Sequence, residues 1–180
     1  MTVTYTLTED NELKLDYEAT TTAPTVINMT NHSYFNLNGN GNLDILDNVL
    51  WLNSNKMTPV DNTFMTTGEI VNIPAGDPFD FFTAPKPVGQ DIDAENEQIA
   101  NGKGYDHNWV LNPTTEAMNH AAALYSPLTG IRLDVMTNEP GIQVYAGNFL
   151  DGTVTGKYGK VYGLRHAICL ETQKSPDTPN

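Results

Sequence analysis

Four short stretches of this 180-residue chain gather side chains able to move protons or hold hydroxyl groups. They are Asn31-His32-Ser33-Tyr34, Tyr105-Asp106-His107-Asn108, Gln143 within Pro140-Gly141-Ile142-Gln143-Val144-Tyr145, and Glu171 within Cys169-Leu170-Glu171-Thr172-Gln173. A histidine and a carboxylate together can supply an acid and a base near neutral pH, because their surroundings move their pKa values toward the working range. An aspartate and a glutamine nearby suit the holding of hydroxyl groups, so the set fits a sugar. Taken singly, each residue also has an ordinary reading. His32 is then a hydrogen-bonded histidine at a strand end, and Asp106 beside His107 is a local turn pairing. Glu171 follows the apolar Ala167-Ile168-Cys169-Leu170, and a carboxylate at the end of such a strand is seldom left without a partner. Gln143 lies between Ile142 and Val144. A period of two turns it to the opposite face, which by pattern alone is exposed surface.

Other chemistries find less support. His32, His107, His120 and His166 show no HxH or HExxH spacing, and the single Cys169 can join neither a multi-cysteine zinc site nor an internal disulfide, so no metal is expected. Ser33 lies beside His32 but no GxSxG elbow occurs, and Cys169 is flanked by apolar residues, which argues against nucleophilic catalysis. Gly102-Lys103-Gly104 and Gly156-Lys157-Tyr158-Gly159-Lys160 lack the GxxxxGK[ST] form of a phosphate loop and read as hairpin turns.

Charge narrows the partners further. With 22 acidic residues against 9 basic ones the net charge is −13, and a phosphate backbone is bound by clustered Lys and Arg. Nucleic acid is therefore excluded as a partner, and a basic membrane-surface helix with it. No apolar run approaches the ~20 residues that span a bilayer. The excess is uneven: residues 1–100 hold 15 acids and 3 bases, whereas residues 101–180 hold 7 and 6. A neutral ligand in the second half is not opposed by that field. Met1 is followed by the polar stretch Thr2 to Asp10, unlike a signal peptide, and a cytoplasmic location is the expectation.

The elements that must position these residues are short strands. Apolar and polar residues alternate over 3–7 and 13–19, giving a hairpin. Further strands are expected over 25–29 and near 46–53, 69–73, 108–111, 119–125, 131–136, 142–146 and 166–171, with a Gly/Asn loop from Asn38 to Asn42. Residues 91–100 form the one plausible helical turn, with Asp91 or Asp93 as N-cap. Many short strands at this spacing predict an all-β, antiparallel sandwich. No linker, repeat or internal boundary divides residues 1–180. Both ends run directly into strands, as if cut from something longer.

Taken together, the segments Thr30 to Leu37, Gly104 to Asn108, Pro140 to Gly152 and Cys169 to Gln173 resemble the aldose 1-epimerase (galactose mutarotase) family. Thr67-Gly68-Glu69-Ile70 and Pro78-Phe79-Asp80-Phe81 add to the resemblance, which extends over nearly the whole chain. It implies a galactose mutarotase-like β-sandwich, incomplete here, whose concave face holds a free aldose such as galactose or glucose. It also implies isomerase chemistry in carbohydrate metabolism: Glu171 takes the proton of the C1 hydroxyl, His32 protonates the ring oxygen, and the opened sugar recloses as the other anomer. Asp106 and Gln143 would hold sugar hydroxyls, with Ser33 and Tyr34 continuing the histidine contact, and no cofactor is called for. Gln143 is thereby moved from bare surface into the site. The family is longer and contributes an arginine and a second histidine from an amino-terminal part that no position here matches. The resemblance thus implies an internal fragment, with exposed sheet edges open to self-association. Two rival readings share the polar face: a non-catalytic carbohydrate-binding sandwich, with aromatics such as Trp51, Trp109 and Tyr145, and a glycoside hydrolase using Asp106 and Glu171 as its two carboxylates. The binding module wins if His32 and Glu171 lie on different faces instead of on opposite sides of one pocket, about a sugar ring apart.

Overall fold

Alternation over residues 3–7 and 13–19 produces the expected hairpin, in which β1 (Thr2–Leu7) pairs antiparallel with β2 (Leu13–Glu18). The computed structural model describes residues 1–39 and 43–177. They divide into two compact units, one of Met1–Met29 and one that begins at Thr30. In the first, the pairs Val3↔Tyr17, Tyr5↔Leu15 and Leu7↔Leu13 set the apolar residues opposite one another on one side of the ribbon. Asn11 turns the chain with φ of 62°, a conformation Asn tolerates better than most residues. The strand expected over 25–29 does not form, and Val26 and Ile27 stay exposed. A β-branched run becomes a strand only where a neighbouring edge receives it.

The second unit holds the chemistry. Its elements are β3 (Tyr34–Phe35), β4 (Val49–Leu52), β5 (Lys56–Thr58), β6 (Val71–Asn72), β7 (Lys86–Pro87), α1 (Glu97–Gly102), β8 (Asp106–Val110), β9 (Asn119–Tyr125), β10 (Arg132–Thr137), β11 (Gly141–Tyr145), β12 (Val154–Thr155), β13 (Val161–Tyr162) and β14 (Ile168–Gln173). One sheet runs β3-β14-β11-β8-β5-β6 and another β10-β9-β4-β7, while β12 and β13 form a separate ribbon. Every described strand pair is antiparallel. A single core joins the two larger sheets: Leu50, Leu52, Ala122 and Leu124 meet Met57, Trp109, Ile142, Val144, Ile168 and Leu170. This unit is therefore an antiparallel β-sandwich, as the sequence predicts. Phe79, Phe81 and Tyr105 fill the core from the loops, tied in where Trp109 Nε1 donates to the Phe79 carbonyl (3.2 Å) and the Tyr105 hydroxyl to the Pro78 carbonyl (2.8 Å).

The helix is displaced from its predicted place. Asn96, not Asp91 or Asp93, caps it, its Oδ1 accepting from the N–H of Gln98 (2.8 Å) and Ile99 (3.3 Å). Asp91 instead binds Lys86 Nζ at 2.8 Å. Gly102-Lys103-Gly104 is the end of this helix rather than a hairpin turn, with Lys103 left-handed at φ 54°, whereas the 156–160 loop does join the paired β12 and β13. Residues 40–42 of the predicted Gly/Asn loop and residues 178–180 lie outside the described residues.

One core residue makes the fold sensitive to acid. His107 is fully buried, its ring 4.8 Å from that of Phe79 and capped by Gly102, where a Cβ would come within 2.6 Å of Cε1. Its Nδ1 accepts the Asp106 N–H at 3.2 Å, which assigns the proton of the neutral ring to Nε2. That atom has no hydrogen-bond partner among the described residues. Burial penalises the charged form and pushes the pKa from 6.5 down to about 4. Below pH 6.5 the unfolded chain gains a proton that the folded chain refuses, so stability falls as pH drops through this window and levels off below the folded value. The loss is ~3 kcal/mol. Urea unfolding of the parent and of His107→Phe from pH 7 to 4 checks this: the parent midpoint should fall more steeply, and parallel slopes would contradict the assignment.

Candidate functional site

Strand β11 lies between β8 and β14, and its register builds the site. Gln143 pairs with Glu171 on one side and Asn108 on the other, and Tyr145 pairs with Cys169 and Asp106. Cys169 in turn pairs with Tyr34 of β3. Side chains alternate along a strand, so these residues share the sheet face opposite Ile142, Val144, His107, Trp109, Ile168 and Leu170, which enter the core. The period-two placement of Gln143 holds. Its face is nevertheless a half-buried polar surface rather than bare exterior.

His32 reaches this face from the segment before β3. The Asn31 carboxamide accepts the Ser33 N–H at 3.1 Å, and Asn36 Nδ2 donates to the carbonyls of His166 (2.8 Å) and Leu43 (2.7 Å), which ties the segment to the residues entering β14. His32 Nε2 stands 3.4 Å from Glu171 Oε1. The carboxylate is buried and the imidazole half-exposed, at 9% and 50% side-chain exposure. The His32 ring stacks on Tyr34 at 5.0 Å and meets Tyr145 edge-on at 6.1 Å. Beside them Gln143 Nε2 donates to Asp106 Oδ1 at 2.8 Å. His32, Tyr34, Asp106, Gln143 and Glu171 thus share one face. Ser33 joins through its position in the turn, its hydroxyl making none of these contacts. His32 and Glu171 converge on that face but touch directly, closer than the sugar-ring separation expected from the sequence.

Two carboxyls of this face are held toward protonation. Burial raises the Glu171 pKa, opposed by the charge of His32 and reinforced by that of Asp106. Burial likewise raises Asp106, opposed by the Gln143 hydrogen bond and by His32. A carboxylate with a raised pKa is a stronger base, and a histidine beside it can return the proton. Asp106 and Gln143 also border a depression of about 110 Å³ with Thr58, Asn108, Phe64 and Thr66. A wider open groove of about 720 Å³, lined by Trp51, Phe82, His120, Tyr125 and Arg132, lies on the four-stranded sheet away from these groups.

Sequence reading gave Tyr145 only to the rival binding module and missed Asn148. Tyr145 carries the same period-two signal as Gln143 and packs beside His32. Asn148, buried, donates from Nδ2 to the carbonyls of Gly102 (2.8 Å) and Tyr105 (3.0 Å), fixing the backbone that leads into Asp106. No local pattern announces it. Spacing also hid a donor cluster: one atom each from His32, Cys169 and Glu171 lies within 4.8 Å of the others. Among the described residues no helix is long and apolar enough to cross a membrane.

The aldose 1-epimerase family profile matches residues 1–180. The galactose mutarotase of Rattus norvegicus is 41% identical over 178 residues, covering 99% of this chain and 49% of that protein. The aldose 1-epimerase of Haemophilus influenzae is 39% identical over 181 residues, covering 100% and 51%. Among solved structures, a GalM/aldose epimerase homologue from C. elegans superposes with a TM-score of 0.80 at 28% identity, covering 99% of this chain and 51% of that one. The galactose 1-epimerase of Lactobacillus acidophilus gives 0.67 at 32%, covering 84% and 41%. The chain spans about half the length of the curated relatives it matches. None of these names points to a glycoside hydrolase or to a binding module.

The Asp106–Gln143 contact has a measurable consequence. The Gln143 amide favours the ionised form of Asp106, so Gln143→Met should raise the Asp106 pKa above its already elevated position. Carbon-detected NMR titration of the side-chain carboxyls reads the midpoint, and an unchanged or lowered value would refute the coupling.

Proposed function

We propose, from the premise that this chain belongs to the aldose 1-epimerase family, that it interconverts the α and β anomers of a free aldohexose such as galactose or glucose. Glu171 takes the proton of the C1 hydroxyl as the C1–O5 bond breaks, and O5 receives a proton from His32. The aldehyde rotates about C1–C2. On reclosure O5 attacks from the other side, His32 recovers its proton and Glu171 returns the one it took, so the pair ends as it began. Asp106 and Gln143 hold hydroxyls at the far side of the ring, with Ser33 and Tyr34 flanking His32. The C1–O5 bond breaks and re-forms within the sugar and only protons pass between sugar and protein, so the reaction requires neither a redox cofactor nor a covalent intermediate.

The observation that carries this reading is the 3.4 Å approach of His32 to Glu171 beside the hydrogen-bonded Asp106–Gln143 pair. A binding module has no use for such a pair, and a hydrolase would need its two carboxyls on either side of a glycosidic bond. For a sugar ring to enter, His32 must swing away from Glu171, which its half-exposed ring on a loop allows. A cytoplasmic setting belongs to the same reading. Self-association belongs to it too, supported by the six-residue edge strand β10, although Arg132 and Asp134 blunt that edge.

Polarimetry of freshly dissolved α-D-galactose and α-D-glucose with the 180-residue chain tests the proposal. A rate above that of buffer is expected, falling ~10²–10⁴-fold in Glu171→Gln and in His32→Gln. Asp106→Asn and Gln143→Met should act mainly by raising KM. No acceleration by the unmodified chain, or acceleration that survives both substitutions in the pair, would reject it.

A further inference from the structure

Cys169 has no part in the proton transfers, yet the fold sets it in the same place. It follows Tyr34 and precedes Glu171 across the polar face, and its Sγ, a ring nitrogen of His32 and a carboxylate oxygen of Glu171 all lie within 4.8 Å of one another. We infer that His32, Cys169 and Glu171 form a three-ligand site for a thiophilic divalent cation of the zinc class, whose occupancy blocks the acid–base pair.

The donor set and the spacing both argue for it. Zinc bonds of ~2.0 Å to nitrogen and oxygen and ~2.3 Å to sulfur, arranged tetrahedrally, set donors roughly 3.3–3.6 Å apart. The His32–Glu171 separation of 3.4 Å is already such an edge, so only the sulfur must close by part of the remaining distance. One thiol, one imidazole and one carboxylate suit zinc or cobalt, whereas calcium and magnesium seek all-oxygen shells. Three protein ligands leave a fourth position, which opens to solvent past the half-exposed His32. The two remaining donors are buried, so the cation is shielded from water on the sheet side.

Binding exchanges protons for the cation. The thiol gives up its proton to the buffer on forming the metal–sulfur bond, as does any proton carried by His32 or Glu171, and the metal then occupies both atoms that would handle the proton of C1 and O5. The cation site rests on donor geometry, and its test is spectroscopic and needs no turnover; only its blocking of the acid–base pair rests on the epimerase reading.

The test is titration of the whole chain with cobalt(II) under reducing conditions, followed by absorption and then displaced with zinc. One equivalent should produce tetrahedral ligand-field bands and a thiolate-to-cobalt charge-transfer band, both lost on adding zinc. Cys169→Ser should remove the charge-transfer band. His32→Ala, at a half-exposed position, should weaken cobalt affinity by at least the roughly 10–100-fold that loss of a mere supporting partner costs. Circular dichroism of both variants verifies the fold. Absence of the charge-transfer band in the parent, or affinity unchanged in His32→Ala, overturns the site and leaves only loose binding by the acidic surface.

Discussion

Strand β11 is the constraint on which the site depends. Five residues, Gly141–Tyr145, hydrogen-bond to β8 on one side and β14 on the other, and their register decides what stands beside what. Ile142 and Val144 enter the core and lock the strand's rotation by burial, each worth about 1.5–3 kcal/mol. Gln143 and Tyr145 are thereby forced onto the other face, next to Glu171, Asp106 and Cys169. A slip of one residue would send Gln143 into the core and Ile142 out to the polar face. The chemistry is specified by hydrophobic residues that never touch it.

Loops complete what the sheet begins, and they are held by side-chain amides. Asn36 ties the His32 segment to His166, and Asn148 ties the turn after β11 to the end of α1 and the start of β8. Arg165 joins the same junction, its Nη2 donating to the Lys103 carbonyl at 2.9 Å. Gly104 makes room for it, since a Cβ there would come within 2.5 Å of the guanidinium. These bonds span up to 130 residues of sequence. A buried amide left without its partner costs about 1–3 kcal/mol, which is why such contacts define one loop position rather than several.

What the sequence disclosed follows from the range of the interactions involved. The β1–β2 hairpin and strands such as β9 and β11 were legible because period two is written within a few residues. The two-residue β3 and β7 were not, because a strand that short exists only through its neighbour's edge. Asp91 looked like a cap by type, but Lys86 claimed its carboxylate and Asn96 took the role, a competition that propensity does not register. The family-like motifs located His32, Asp106, Gln143 and Glu171 individually. Their convergence, and that of Cys169 with them, depends on a register between β3, β14 and β11 that no local pattern encodes.

The contact between His32 and Glu171 is unequal, and the inequality matters. Glu171 sits on β14, next to the short edge strand β3, buried, with its position fixed by pairing to Gln143. An ionised carboxylate there is costly without a partner, and His32 supplies one from the solvent side. Since the histidine is half-exposed, the attraction is screened and weaker than that of a fully buried pair. In the proposed reaction a substrate hydroxyl can take the histidine's place beside the carboxylate without first overcoming a strong buried ion pair. Had both groups been buried, the pair would be too tight to admit a ring between them; had both been exposed, the carboxylate would lose the burial that raises its basicity. In the proposed mechanism, a fixed base with a movable acid leaves the pair both reactive and accessible.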